Sequence, residues 1–172
     1  GNREKAQRWL REPCRALERR GVAVTYLPCG PDGRVEPESL AAALRPTTRL
    51  VSVMAANNVT GILQPVRELA AICAGRGVPF HTDAVQAAGK MPVDVAADGV
   101  SLLSLSAHKI HGPKGAAALV VRKGTPLAPL LRGGGQERGL RPSTENVPAI
   151  AGLGRAAEIA ASKPGETLTA SP

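Results

Sequence analysis

The sequence predicts an α/β layered fold, a mostly parallel sheet with helices on both faces, and three observations predict it. Near-continuous apolar runs recur at "RLVSVMAANN", "VPFHTDA" and "GVSLLSLSAH", as strands buried on both faces require. A segment of helical periodicity, "VRELAAICAGRG", separates the first two. Glycine- and proline-rich turns punctuate the units, so the order strand, helix, strand reads as a parallel sheet with crossovers.

The elements follow in order. Arg3 to Arg20 carries Ala6, Trp9, Leu10, Ala16 and Leu17 at helical spacing and stops at Gly21, with Pro13 either kinking that helix or marking its start. "VAVTYL", Val22 to Leu27, is β-branched and alternating and predicts a strand, and "PCGPDGR" after it is turn chemistry around Asp32 and Gly33. "EPESLAAALR" predicts a short helix. The strand "RLVSVMAANN" is followed by a loop with Gly61 and Pro65, the glycine-closed helix, and the strand "VPFHTDA". "GVSLLSLSAH" (Gly99 to His108) is a fourth apolar run and "GAAALVVRK" (Gly115 to Lys123) a fifth; the loop between them is too short for a helical crossover, so the fifth is expected to be antiparallel. "RGGGQERGLRPSTEN" is too rich in glycine to be core, and "VPAIAGLGRAAEIAA" predicts a last helix.

A chain of 172 residues that is 43% hydrophobic buries one sizeable core, so one domain or a piece of a larger one is expected. The charged helix at the start, with no strand before it, favours a piece: a partial domain over residues 1–161 and a polar, disordered tail over 162–172. The net charge of +8, 22 Lys and Arg against 14 Asp and Glu, suits an acidic or phosphorylated partner. Nucleic acid is disfavoured, because the basic residues are scattered and one Trp, one Tyr and one Phe leave almost nothing for bases to stack on. Cys14, Cys29 and Cys73 form no CxxC pair and have no His at metal spacing, so neither a metal site nor a disulfide framework is expected. A reducing, cytoplasmic setting fits that cysteine usage; no signal peptide and no apolar run long enough to span a bilayer appears, and a targeting peptide upstream stays open.

Three strand ends converge on polar residues: Asn57 and Asn58, then Asp83 and Gln86, then Ser106, His108 and Lys109. Ligands of open α/β sheets collect at such carboxyl ends. A partly desolvated lysine is an amine nucleophile toward a carbonyl, and a nearby aspartate holds a proton on a heteroaromatic nitrogen. Together these describe a pyridoxal 5'-phosphate site. Ser106 and His108 could serve phosphate oxygens, and Asn58 and Gln86 the phenolic oxygen.

Each residue alone has a plainer reading. Asp83 could cap a short helix, His81 and His108 could be structural, Lys109 could be a surface lysine, and Cys73 fits an apolar helix stripe. Joint occurrence is what favours a site. A Ser/His/Lys hydrolase at "SLSAHK" lacks the glycine-flanked nucleophile turn, and no GxxxxGK[ST] loop is present.

The phrases "VSVMAANNVTGILQPV", "HTDAVQAAGK", "SLSAHKIHGPKG" and "GGGQERGLRPSTENVPAIAGLGRAAE", in that order, resemble the class V aminotransferase-like cysteine desulfurases (NifS-like) and the related selenocysteine lyases, from about Pro13 to Ile159. The resemblance implies the large domain of a fold-type I pyridoxal phosphate enzyme, incomplete here, working as a homodimer on L-cysteine or L-selenocysteine and passing sulfur to an acceptor protein for iron-sulfur clusters or thiolated cofactors. It implies that Lys109 forms the Schiff-base link and moves protons at the substrate carbon, that Asp83 partners the pyridine nitrogen, and that Gln86 and Asn58 lie near the phenolic oxygen, Asn58 also near the substrate carboxylate. It further implies that Ser106 and His108 bind phosphate and that Thr144 reaches the phosphate of the neighbouring subunit's cofactor.

Departures from the family pattern bear on mechanism. Val59 stands where a Glu usually follows the paired Asn, and Gln7 or a neighbour where a ring-stacking His is usual, no His preceding His81. The Gly/Thr phosphate loop, the nucleophilic cysteine expected far beyond Lys109, and the small domain with its carboxylate-binding arginine have no counterpart in the sequence. Sulfur abstraction needs a thiolate to receive it, so the chain alone is expected to be inactive. The alternative from another class is a non-catalytic piece that binds cofactor weakly or only pairs with a complete subunit.

Overall fold

The computed structural model describes residues 11–162. The first turns of the predicted Arg3–Arg20 helix, Gln7, and the tail beyond residue 162 lie outside the described residues. Helix α1 covers residues 11–18 and passes through Pro13. Helix α2 (Pro37–Ala43) opens on a proline, whose fixed φ and missing N–H suit the first helical position. Strand β1 (Val51–Met54), helix α3 (Val66–Ala74), strand β2 (Phe80–Asp83), strand β3 (Leu102–Ser106), strand β4 (Ala117–Val121) and helix α4 (Val147–Ser162) follow, with one-turn 3-10 segments at Ala107–Lys109 and Gln136–Gly139. Asn146 caps α4: its carbonyl accepts from the Ile150 N–H at 2.9 Å and its side-chain oxygen from the Ala149 N–H at 3.3 Å.

The four strands pair in the order β1-β2-β3-β4. β1, β2 and β3 are parallel, with Met54 opposite Asp83 and Asp83 opposite Ser104. β4 returns antiparallel to β3, Ser106 opposite Ala117, as the short connection between them demands.

Side chains alternate across the sheet, and the two faces differ. Val51, Val53, Phe80 and Leu103 pack with Leu40 of α2 and Leu69, Ala70 and Cys73 of α3. Ala149, Leu153 and Ala156 of α4 pack on Ala107, Ile110 and Ala116, and Leu105 joins both clusters. Helices α2, α3 and α4 therefore share one face. The other carries Ser52, Met54, His81, Asp83, Leu102, Ser104 and Ser106, and none of these three helices covers it. The α/β fold with a mostly parallel sheet is as expected; among the described residues α2, α3 and α4 lie on one face, and the other carries polar side chains beside the buried Leu102.

The predicted strand Val22–Leu27 does not form: residues 22–30 lie outside any helix or strand, and Val22 and Tyr26 are exposed. Only Leu27 reaches the main core. Alternating β-branched residues make a strand only with a neighbouring backbone to pair with, and none lies beside them among the described residues.

Phe80, 1% exposed, is the largest fully buried side chain. Phe80→Ala is expected to cost about 3–5 kcal/mol, much of the stability of a domain this size, and a urea melt followed by circular dichroism measures it.

Candidate functional site

Asp83 ends β2 and is exposed. Its Oδ1 accepts the Val85 N–H at 2.9 Å, which bends the chain into the turn holding Gln86. Its second oxygen has no hydrogen bond among the described residues, so the plain reading, a local cap, uses half of the carboxylate. Gln86 is half-buried, and its Oε1 accepts from Lys90 Nζ at 3.1 Å.

The end of β3 is a tight hook. Ala107 donates its N–H to Ala116 O at 3.0 Å, while its carbonyl accepts from Ile110 at 3.0 Å and Gly112 at 2.8 Å. A Cβ at Gly112 would stand 3.0 Å from the Ala107 Cβ and 3.1 Å from that of Ala156, so the glycine lets α4 press against the hook. Ser106 Oγ and His108 Nδ1 lie 2.8 Å apart, a hydroxyl and an imidazole paired at the strand end. Lys109 closes the 3-10 turn, half-buried, and makes no ion pair among the described residues. Ser104, two residues below Ser106, is in register with Asp83, so the acid and the hook end neighbouring parallel strands.

The loop after β1 is organised by Asn57 rather than Asn58. Asn57 Oδ1 accepts the N–H groups of Val59 at 2.9 Å and Thr60 at 3.0 Å, and its backbone N–H donates to Ile62 O at 2.9 Å. The bridge between Ala56 and Leu63 closes the loop. Backbone N–H groups tie it down with Val59 in place of a glutamate. Asn58 is left exposed at the tip. Gln64 then anchors the approach to α2, accepting from Val35 N at 2.8 Å and donating to Gly33 O at 2.9 Å.

Thr144 is exposed on the stretch leading to α4, beside Ser143 at φ 154°. No hydrogen bond joins Thr144 or Asn58 to Asp83, Ser106, His108 or Lys109 among the described residues. Within one chain Asp83 and Gln86 follow β2, Ser106, His108 and Lys109 follow β3, and Asn58 follows β1, all at the carboxyl ends of adjacent parallel strands, while Thr144 lies on the stretch before α4.

Sequence reasoning undervalued His81. Its Nδ1 lies 2.8 Å from Ser52 Oγ on β1 and its Nε2 2.9 Å from Ser104 Oγ on β3, on the sheet face that carries Asp83. Burial pushes the imidazole below its ordinary pKa, partly opposed by the Asp83 carboxylate. The signal was in the spacing: Ser52 and Ser104 alternate with apolar residues on β1 and β3, and His81 lies between the buried Phe80 and Thr82 on β2.

A cleft of about 290 Å³ lies elsewhere, lined by Gln64, Arg67, Met91, Asp98 and the buried Thr82, and contains none of the predicted site residues. Arg67 bridges Asp98 at its edge at 3.0 Å. Among the described residues no cluster of His, Cys, Asp or Glu could hold a metal, and no helix is long and apolar enough to cross a membrane.

The cysteines have distinct environments. Cys73 is fully buried, as its helix stripe predicts, and burial pushes its thiol up to about 11. Burial and then Glu18 raise that of Cys14. Cys29 is exposed. In the folded protein Cys29 is expected to react with iodoacetamide within minutes and Cys73 only after denaturation, as peptide mass spectrometry reads out.

Parallel strands end here in an acid, a hydroxyl–imidazole pair and a lysine with no ion pair among the described residues, at the end of the sheet where α/β folds collect ligands. Residues 10–169 match the model of the family described as Aminotransferase class-V. The chain belongs to that family, whose members depend on pyridoxal phosphate.

The chain is 54% identical over 151 residues to the mitochondrial cysteine desulfurase of Arabidopsis thaliana, a match covering 87% of this chain and 33% of that protein. It is 51% identical over 149 residues to cysteine desulfurase IscS of Dictyoglomus turgidum, covering 87% and 38%. Among solved structures, a NifS-like protein superposes with TM-score 0.84 at 45% identity, covering 88% of this chain and 42% of that one. SspA in complex with cysteine superposes with TM-score 0.83 at 42% identity, covering 86% and 43%. The chain thus spans between 33% and 38% of the length of these two curated relatives.

Proposed function

We propose that the protein is the cofactor-binding part of a cysteine desulfurase, which converts L-cysteine to L-alanine and passes the sulfur to a thiol as a persulfide. One observation carries the reading: Asp83 and the Ser106–Lys109 hook end adjacent parallel strands. Identity of 51–54% to proteins named cysteine desulfurase supports the choice of substrate.

The donor set fits pyridoxal phosphate: a carboxylate for a ring nitrogen, an amine with no ion pair among the described residues for an aldehyde, and a hydroxyl with an imidazole for a phosphate. When bound, the cofactor supplies an electron sink for the substrate α-carbon. Lys109 anchors the cofactor's carbonyl carbon and then moves a proton at the substrate α-carbon. Asp83 keeps the ring-nitrogen proton in place, Ser106 and His108 hold the phosphate, and Gln86 and Asn58 orient the phenolic oxygen, Asn58 also meeting the substrate carboxylate. Thr144 reaches the phosphate of the cofactor in a second subunit, so the working unit is a homodimer.

Cys73 is too deeply buried to carry sulfur, and Cys14 and Cys29 precede Lys109 whereas the family resemblance places the receiving thiolate far beyond it, so that thiolate is assigned outside these three, and an acceptor protein takes the sulfur onward. We place the protein in the cytoplasm. Selenocysteine is the alternative substrate, and the ratio of turnover on the two amino acids decides between them.

The test uses the full-length protein with pyridoxal phosphate and L-cysteine. Stoichiometric alanine and sulfide in the presence of a thiol are expected. Cofactor binding without alanine would leave a binding piece only and overturn the assignment of activity.

A further inference from the structure

Asp83 is the only charged residue in the four strands and His81 the only other titratable one, and the two share a face two residues apart. His81 spends both ring nitrogens sideways: Ser52 Oγ at 2.8 Å on β1 and Ser104 Oγ at 2.9 Å on β3. The result is one polar tie across three parallel strands, just below the level at which Asp83 and the Lys109 hook leave the sheet. Ser104 is also the residue in register with Asp83, so one end of the tie grips the strand position beside the carboxylate.

We propose that His81 is a positioning residue for Asp83: a neutral imidazole clamped between Ser52 and Ser104 that holds the end of β2 in place between β1 and β3 and leaves the carboxylate as the single charge on that face of the strands. This rests on the cofactor site proposed above and deepens it.

The chemistry favours the neutral form. Each serine hydroxyl both donates and accepts, so a neutral ring with one N–H and one bare nitrogen satisfies both serines in a fixed tautomer. A protonated ring would need both hydroxyls as acceptors and would place a cation beside Asp83, drawing the carboxylate toward itself and away from a ring nitrogen above. The charged group acting on His81 is Asp83 on its own strand; β1 offers only Ser52 and Met54 on that face, and β3 Leu102, Ser104 and Ser106. Burial of the ring acts in the same direction.

The first measurement needs no cofactor. Ring nitrogen NMR of the chain, its three histidines assigned by single substitution, is expected to show His81 neutral and in one tautomer at pH 6, where an ordinary histidine of pKa about 6.5 is mostly protonated. A His81 ring that titrates like a free imidazole, or averages its tautomers, overturns the proposal whatever the protein's activity.

The second uses the full-length protein with pyridoxal phosphate. Ser52→Ala and Ser104→Ala each remove one tie and are expected to weaken cofactor binding about fivefold, the value of one net hydrogen bond. His81→Leu removes both and is also expected to shift the pH titration of the bound cofactor's visible band. His81→Gln keeps a donor and an acceptor and is expected to restore most of the affinity and the titration. A merely structural role predicts a lower thermal midpoint with the titration unchanged in every folded variant, and that pattern defeats the proposal. Should the wild-type protein bind no pyridoxal phosphate, the cofactor reading falls while the NMR arm still decides the clamp.

Discussion

Lys109→Ala is expected to abolish the visible absorption that the full-length protein gains with pyridoxal phosphate, and to lower alanine formation from L-cysteine by about 10⁴-fold or more, the upper end for a positioned acid–base group. The amine is asked to do two things no neighbour can do: bond a carbonyl carbon and carry a proton. Ser106 and His108, paired at 2.8 Å, carry no primary amine, and no other lysine lies in the hook before Lys114. Stability should barely change, because Lys109 makes no ion pair among the described residues and the turn is held by the backbone of Ala107. Lys109→Arg sharpens the result: it keeps the cation, but guanidinium does not deprotonate in proteins and cannot act as the amine. Both variants should therefore lose the band while their urea midpoints match the parent. An unchanged band in Lys109→Ala would remove the lysine from the site.

The parts of this fold that were legible in the sequence are those where composition and spacing act locally. Each of the three parallel strands appears where an apolar run ends in a polar residue, and the antiparallel return of β4 follows from the length of the loop after Ser106. Asp83, Ser106 and Lys109 could be singled out because strand ends are where an α/β sheet presents side chains. Three readings needed coordinates. Val22–Leu27 has the pattern of a strand, but a ladder depends on a second backbone that spacing along one segment cannot reveal. The runs "VSVM", "FHTD" and "LLSLS" read as continuously apolar until register shows Ser52, His81 and Ser104 aligned on one face. Of two adjacent asparagines, the one whose side chain ties its own loop is Asn57, a difference of one residue in a turn, where sequence patterns are weakest.

Asp83→Asn is the variant expected to separate charge from shape. The amide oxygen can accept the Val85 N–H as the carboxylate does at 2.9 Å, so the turn to Gln86 should survive and stability should stay within about 0.5 kcal/mol. What is lost is the negative charge facing a ring nitrogen. Without that charge the chain would no longer favour a proton on the ring nitrogen, the state in which a bound cofactor would act most strongly as an electron sink. Removing one preorganised electrostatic partner of a developing charge costs about 10²–10³ in kcat, and a loss of that order is expected, with KM for L-cysteine little changed because the role proposed for Asp83 is toward the ring and not the substrate. Asp83→Ala should lose the same rate and, in addition, about 1 kcal/mol of stability from the missing Val85 hydrogen bond. Full turnover in Asp83→Asn, measured beside an unchanged urea midpoint, would mean that the aspartate serves the turn alone, the plainer role that half of its carboxylate already fills.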